Sequence, residues 1–341
     1  MSTLAVTNPT LLDITRRLDA NGKIDKIAEM LNLTNEILDD MVIMEGNLPT
    51  GHKTTIRTGL PSATWRLLNY GVQPSKSQTA QITDVCGMLE AYAEIDKALA
   101  DLNSNTAEFR LSEDRAYIES MNQTMASTIF YGNVNAEPNK FHGLAPRYSA
   151  ASATETEIGY NVIKAGGSQS DNTSIWLVVW GENTCHAIYP KGSKAGLQHQ
   201  DLGEVTLEDT TGGKFQGYRS HYKWDLGLTV RDWRYVVRIA NIDVGDLSTA
   251  GTGSDSSAAL EYFMADAFYR IPEISMGRAA FYAHPIVIAA LQRRLMSKSN
   301  TLLSLDDWTN DKLGIKRKVL NLYGVPIRKC QKLVLNESVV S

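Results

Sequence analysis

Residues 46–77 restrict this chain more than any other stretch. Gly46, Pro49, Gly51, Gly59, Pro61, Gly71 and Pro74 interrupt it every few residues, so no helix can run through it. Between the breaks lie two β-prone runs, residues 53–58 and 63–70, which read as a long two-stranded hairpin. Lys53, Arg57 and Arg66 alternate there with few large apolar side chains, leaving the hairpin little to bury in a core of its own. An isolated two-stranded ribbon is marginal in water, so this one is expected to lean on another chain.

The 341 residues suffice for about two domains at roughly 150 residues each. Hydrophobic residues make up 43% and charged residues 21%, the balance of a globular chain rather than a disordered one. A net charge of −4 supplies no global basic field for gripping nucleic acid. Cys86, Cys185 and Cys330 are odd in number and lack metal spacing, which suits a reducing cytoplasm. Residues 1–12 do not read as a signal peptide, and no apolar run approaches the ~20 residues a membrane span needs.

Ahead of the hairpin, Ile24, Ile27, Met30 and Leu31, then Ile37, Leu38 and Met41, suggest two short helices on an extended arm. Behind it, residues 81–95 read as a strand leading to a short helix over 96–102. A long helix follows, starting at Thr106 or capped by Ser112 with Glu113 and Asp114 in its first turn. Its apolar stripe is Ile118, Met121, Met125 and Ile129, and Gly132 ends it. Residues 133–154 read as loop, 174–189 as a hairpin, and 203–207 and 218–240 as further strands. A polar loop over 249–257 precedes a helix over 258–269, and a second helix runs from Pro285 to Met296, with Arg293, Arg294 and Lys298 near its negative end. Strands return over 315–335, broken by Tyr323, Gly324, Val325 and Pro326.

Catalytic patterns are missing. Gly166–Gly167 and Gly212–Gly213 lack the context of a phosphate loop, and the six histidines never stand at i, i+4 around a carboxylate. Cys185 and His186 invite a thiol hydrolase, but neighbours on a strand face opposite ways, so the cysteine reads as core and the histidine as partly exposed. The pairs Asp39–Asp40, Glu113–Asp114 and Asp306–Asp307 read as helix-start caps. Lys312, Lys316, Arg317 and Lys318 read as the solvated end of a strand. Trp233, Tyr235 and Val237 alternating with Arg234, Val236 and Arg238 suit a half-buried strand whose arginines bridge to a neighbour.

Three phrases then stand out: LPTGHKTTIRTGLPSATWRLLNYG (residues 48–71), SEDRAYIESMNQTMASTIFYGN (112–133) and YGVPIRKCQKL (323–333). With the order of segments, they resemble the major capsid proteins of short-tailed phages, of the Hong Kong 97 type and closest to the epsilon-fifteen group. The resemblance spans essentially the whole chain. It implies an α+β fold of the Hong Kong 97 type with an N-arm (1–45), an extended E-loop hairpin (46–80), a peripheral domain (81–155) with a spine helix (106–131), an axial domain (156–315) interleaved with peripheral strands, and returning peripheral strands (316–341). It implies pentamers and hexamers in an icosahedral shell around double-stranded DNA held without sequence specificity. Its partners would be a scaffolding protein, a portal protein and a decoration protein, with no membrane, no cofactor and no catalysis. Assembly would take place in the host bacterial cytoplasm and the product would be the virion. Lys53, Arg57, Trp65, Arg66, Tyr70, Lys76, Arg16 and Arg17 are the inter-subunit contact candidates. Unlike the best-known member, the chain shows no long scaffold-like leader, so no maturation protease is expected. Nothing marks Lys53, Lys76 or Asn336 for an isopeptide cross-link. The rival readings are another virion structural protein, in a tail tube or as decoration, and a Cys/His hydrolase.

Overall fold

A computed structural model describes residues 35–101, 106–209, 211–248, 260–296, 303–310 and 315–341. Arg16, Arg17, the helix expected near residues 24–31, the polar loop over 249–257, Lys298 and Lys312 lie outside them.

In chain order the first elements are helix α1 (Ile37–Asp40), strands β1 (Ile43–Glu45), β2 (Gly51–Gly59) and β3 (Gln78–Asp96), then helices α2 (Lys97–Ala100), α3 (Thr106–Tyr131) and α4 (Leu144–Arg147). Strands β4 (Val162–Lys164), β5 (Asn172–Trp180), β6 (Cys185–Tyr189), β7 (Gln198–Glu208), β8 (Lys214–Val230) and β9 (Val236–Asp243) follow. The last part holds α5 (Val244–Ser248), α6 (Leu260–Arg270), β10 (Arg278–Ala283), α7 (Pro285–Met296), β11 (Leu303–Asn310), β12 (Ile315–Leu322) and β13 (Val325–Lys329). Among the described residues no helix is long and apolar enough to cross a membrane.

The chain divides into two units, one containing Met88–Ala126 and Gly196–Asp225, the other Thr34–Gly87, Ser127–Ala195 and Leu226–Ser341. In the first, period-two alternation puts Leu89, Ala91, Ala93 and Ile95 of β3 on one side, where they meet Phe109, Tyr117 and Met121 of α3 and Tyr218 and Tyr222 of β8. Charged pairs line the strands, Arg219 with Glu94 at 2.6 Å and Arg110 of α3 with Asp201 at 2.6 Å. Ile118, counted in the apolar stripe, is exposed, because the stripe at four-residue spacing runs through Tyr117 instead.

In the second unit, β5 is flanked by antiparallel β9 and β10, and all nine of its residues are buried. Ile175, Leu177 and Val179 face a core shared with Val237 and Ile239 of β9, Phe281 of β10, Leu260, Met264 and Ala267 of α6, and Val287 and Leu291 of α7. On the other face Trp176 meets Phe130 and Tyr148 with ring centroids 6.1 Å apart, and the Trp180 indole donates to Tyr282 Oη at 2.7 Å. A strand covered on both faces reads as one apolar run, which is what NTSIWLVVW is.

Several expectations are corrected. Residues 63–70 form no strand; β2 pairs with β3 in a ladder running from Gly51↔Val85 to Arg57↔Thr79, and residues 60–77 are the tip between them. The run lacked a partner, since the inner edge of β2 is taken by β3, and Asn69 at φ 68° turns the chain so that Tyr70 N–H donates to Leu67 O. Strands β5 and β6 are not a hairpin: they meet only at Trp180↔Cys185, because β5 already has two neighbours and β6 pairs with β8 and β1. The run 218–240 is broken by a 3-10 turn at Trp233–Tyr235, capped by Asp232. Within 133–154 a helical turn, α4, appears. Pro326, read as part of a break, lies inside β13.

Of the three acid pairs only Asp39 and Asp40 lie in the first turn of a helix, the four-residue α1. Helix α3 begins at Thr106, which places Glu113 and Asp114 beyond its first turn; Asp306 and Asp307 lie in β11; Asp40 is buried among cations. Arg238, expected to bridge to a neighbour, is buried in β9, where Glu337 answers its charge at 2.8 Å. Arg234 is held by Asp232, and Arg231 donates to Glu182 O.

Candidate assembly site

The hairpin is anchored at its root and bare at its tip. Gly51 crosses β3 so closely that a Cβ would collide with the Asp84 carbonyl oxygen, which reserves the position for glycine. Beside it, Arg147 of α4 donates from Nη2 to Asp84 Oδ1 (2.7 Å), His142 O (3.2 Å) and Leu228 O (3.1 Å). Asp84 is buried and Arg147 is largely covered, so the carboxylate depends on the guanidinium for its charge to be tolerated. One guanidinium thus joins α4, the end of β8 and the base of the hairpin.

Beyond the root, burial ends. Lys53, Arg57, Arg66 and Lys76 are exposed, as are Leu60, Leu67, Leu68 and Tyr70; Trp65 is 104% exposed, that is, without any protein contact that shields it. A single chain rarely leaves so many large apolar groups together in water unless they meet a partner. The candidates Lys53, Arg57, Trp65, Arg66, Tyr70 and Lys76 therefore share one projecting segment, and within residues 46–83 there is no Asp or Glu to neutralise its four cations. Ser75 Oγ donates to Ser62 O at 2.8 Å and draws the two limbs of the tip together.

Two further charge clusters hold Asp40 and Glu337 within this unit. Glu337, near the C-terminus, accepts from Arg238 (2.8 Å), Tyr131 (2.5 Å) and Ser174. Burial, reinforced by Glu337, holds the Tyr131 phenol well above its usual range. Asp40 stands against Arg278 (2.6 Å), Arg328 (3.1 Å) and Tyr282 Oη (3.2 Å). Burial outweighs the two arginines and raises its carboxyl. Sequence reading missed Asp84, Arg147, Glu337 and Asp40, whose partners are far away in the chain; a charged residue inside an apolar stretch, as Arg238 is, was the available signal.

The hydrolase reading fails on chemistry. Cys185 and His186 are both fully buried, which corrects the partly exposed histidine, since β6 is covered on both sides. Burial pushes the Cys185 thiol up to about 12 and, with His52 and Arg231 adding to it, the His186 imidazole down to about 4. A thiolate and a proton-accepting imidazole near neutral pH need the thiol shift reversed. Among the described residues no three His, Cys, Asp or Glu side chains are grouped to hold a metal.

The mixed α/β fold matches the architecture of a Hong Kong 97-type shell subunit. The family model described as Major capsid protein GP7 matches residues 19–341, and the chain belongs to that family. A near-atomic structure of bacteriophage Epsilon15 is similar, at 36% identity over 100% of this chain and 99% of that one, with a TM-score of 0.78. The bacteriophage JBD30 capsid gives 8% identity, 89% and 93% coverage and a TM-score of 0.47. The holo-SrpI encapsulin complex of Synechococcus elongatus PCC 7942 gives 10%, 69% and 96%, and 0.43. No curated protein matches the chain. As a major capsid (head) protein it is a structural component of the virion, building the icosahedral shell of a tailed phage from copies of itself.

Proposed function

We propose that residues 46–80 are the E-loop by which each copy grips the next, with Lys53, Arg57, Trp65, Arg66, Tyr70 and Lys76 as contact residues. The observation that carries this is the bare, acid-free tip on a buried root. Residues 1–45, with Arg16 and Arg17, act as an N-arm in the same joints. Residues 81–155 form the peripheral domain around spine helix 106–131, residues 156–315 the axial domain, and residues 316–341 the returning strands. Copies group as pentamers and hexamers and enclose double-stranded DNA without reading its sequence, as the net charge of −4 allows. Assembly proceeds in the bacterial cytoplasm with scaffolding and portal proteins, and a decoration protein joins the finished shell.

The test replaces residues 60–77 by Asn-Gly, a two-residue link suited to the facing ends Gly59↔Gln78. The subunit should keep its melting temperature and form no shells by electron microscopy. Normal shells would remove the tip, with Trp65, Arg66, Tyr70 and Lys76, from the joint.

A further inference from the structure

Residues 334–341 lie on the second unit as a peptide lies in a receptor. They belong to no strand or helix and meet the sheet through the isolated pair Asn172↔Glu337. Of the eight side chains only Glu337 and Val340 are buried. The body holds the segment by its main chain instead. Val334 N–H donates to Tyr131 Oη (3.1 Å), Glu337 N–H donates to Asn172 O (2.9 Å), and Ser341 O accepts from Ala151 N–H (3.0 Å). The Asn241 carboxamide takes both groups of Val340, Oδ1 accepting from its N–H at 2.8 Å and Nδ2 donating to its carbonyl at 2.9 Å. Positions 334, 337 and 340 recur every third residue, the spacing at which an extended left-handed segment, which has no hydrogen bonds of its own, returns one face to a surface. The receiving side is held by the body itself. Arg238 donates from Nε to Ser174 Oγ (3.1 Å) and from Nη1 to Tyr148 O (2.9 Å), its guanidinium lies 5.2 Å from the centroid of the Trp176 ring, and its Nη2 is turned to Glu337. Asn241 stands in β9 at φ 59°, a left-handed backbone of the kind that persists at ligand clamps.

We propose that this groove is a binding site for an extended peptide carrying a carboxylate three residues ahead of a small apolar side chain, and that residues 334–341 are its built-in occupant, which leaves and re-enters while the sheet beneath stays folded. The proposal is independent of the hairpin and of the joint assigned to it. Peptide receptors take affinity from main-chain groups and specificity from a few side chains. Here the main chain is held at residues 334, 337, 340 and 341, and the side chains of 337 and 340 are read. A guanidinium already fixed by Ser174 and Tyr148 makes the carboxylate the main selector, since a charge-assisted bond to a preset donor needs no reorganisation. Asn336, Ser338 and Val339 are exposed, with an open cleft lined by Tyr131, Ala145, Ser149 and Arg238 beside the segment, so those three positions are not read. Val340 is the one buried apolar side chain of the eight. Departure of the segment therefore costs directional bonds rather than core packing, which is the profile of a locally opening unit.

The experiment uses the full chain as the free subunit. Residue-resolved amide exchange should be about tenfold faster at Glu337 and Val340 than at the β5 amides, with a smaller dependence on urea, because local opening exposes less surface than unfolding. Equal rates with equal urea dependence would overturn the separable occupant. Glu337→Ala disables the occupant and leaves the groove. The synthetic peptide VLNESVVS, residues 334–341, should bind that variant one to one and about tenfold more tightly than the same peptide carrying Glu337→Gln. No binding, or equal binding of the two peptides, would overturn the recognition site. Should Glu337→Ala not fold, Asn241→Gly decides, since glycine accepts the left-handed backbone and only the carboxamide is lost. It should raise exchange at Val340 relative to the β5 amides about tenfold, for two hydrogen bonds removed. An unchanged ratio would overturn the clamp and the site with it.

Discussion

At the scale of single residues, buried charge and buried imidazole set the sensitivities. Arg238 and Glu337 are both 5% exposed, so Arg238→Met strands a carboxylate in the core. The loss should be about 3–5 kcal/mol in chemical denaturation of the free subunit, and Arg238→Met with Glu337→Met should recover most of it. His186 contributes a pH dependence. Its imidazole titrates near the usual 6.5 when unfolded and at about 4 when folded, so below pH 6.5 the unfolded chain binds the extra proton. Stability present above pH 6.5 is therefore lost as pH falls toward 4, by roughly 3 kcal/mol in all. His186→Phe should flatten that limb of the stability profile, and an unchanged limb would assign it to other groups.

At the scale of elements, the hairpin depends on a helical turn that does not touch its tip. Arg147 links α4 to Asp84 at the root, and Arg147→Ala leaves Asp84 buried without its counter-ion. Amide exchange across the β2–β3 ladder should then quicken near Gly51↔Val85 while the β5–β9 ladder stays protected. Equal loosening of both ladders would mean that Arg147 supports the whole unit rather than the root. Elements with strong local signals needed no such help. Helix α7 spans Pro285–Met296, the boundaries its proline and apolar spacing indicate, and α3 begins at Thr106, the earlier of the two starts the sequence allowed. Strands β5 and β6 fared differently. Their residues were legible as strands, but adjacency in sequence suggested a hairpin, and the pairing went to β9, β10, β8 and β1 instead.

For the whole molecule, the separation of a +4 hairpin from a −8 remainder makes association electrostatic at long range. Raising ionic strength shortens the Debye length from ~10 Å at 0.1 M to ~3 Å at 1 M, so assembly followed by light scattering should slow with salt. Arg57→Glu or Arg66→Glu should weaken assembly most at low salt and converge toward wild type at high salt. A deficit independent of salt would point to packing by Trp65 and its apolar neighbours as the main term.

The sequence by itself determined the local order: a broken, basic, acid-free projection that cannot bury itself, a long helix behind it, and an apolar body with no catalytic spacing. Those properties are readable because they follow from periodicity, backbone restriction and composition, all of which act over a few residues. Only the tertiary structure decided which strand closes the hairpin, which strands flank β5, and which carboxylate answers each buried arginine. Asp84 and Arg147 lie 63 residues apart and Arg238 and Glu337 lie 99 apart. Such pairs form because a charge that folding removes from water must find its counter-charge wherever the chain happens to return, and no local pattern records where that is.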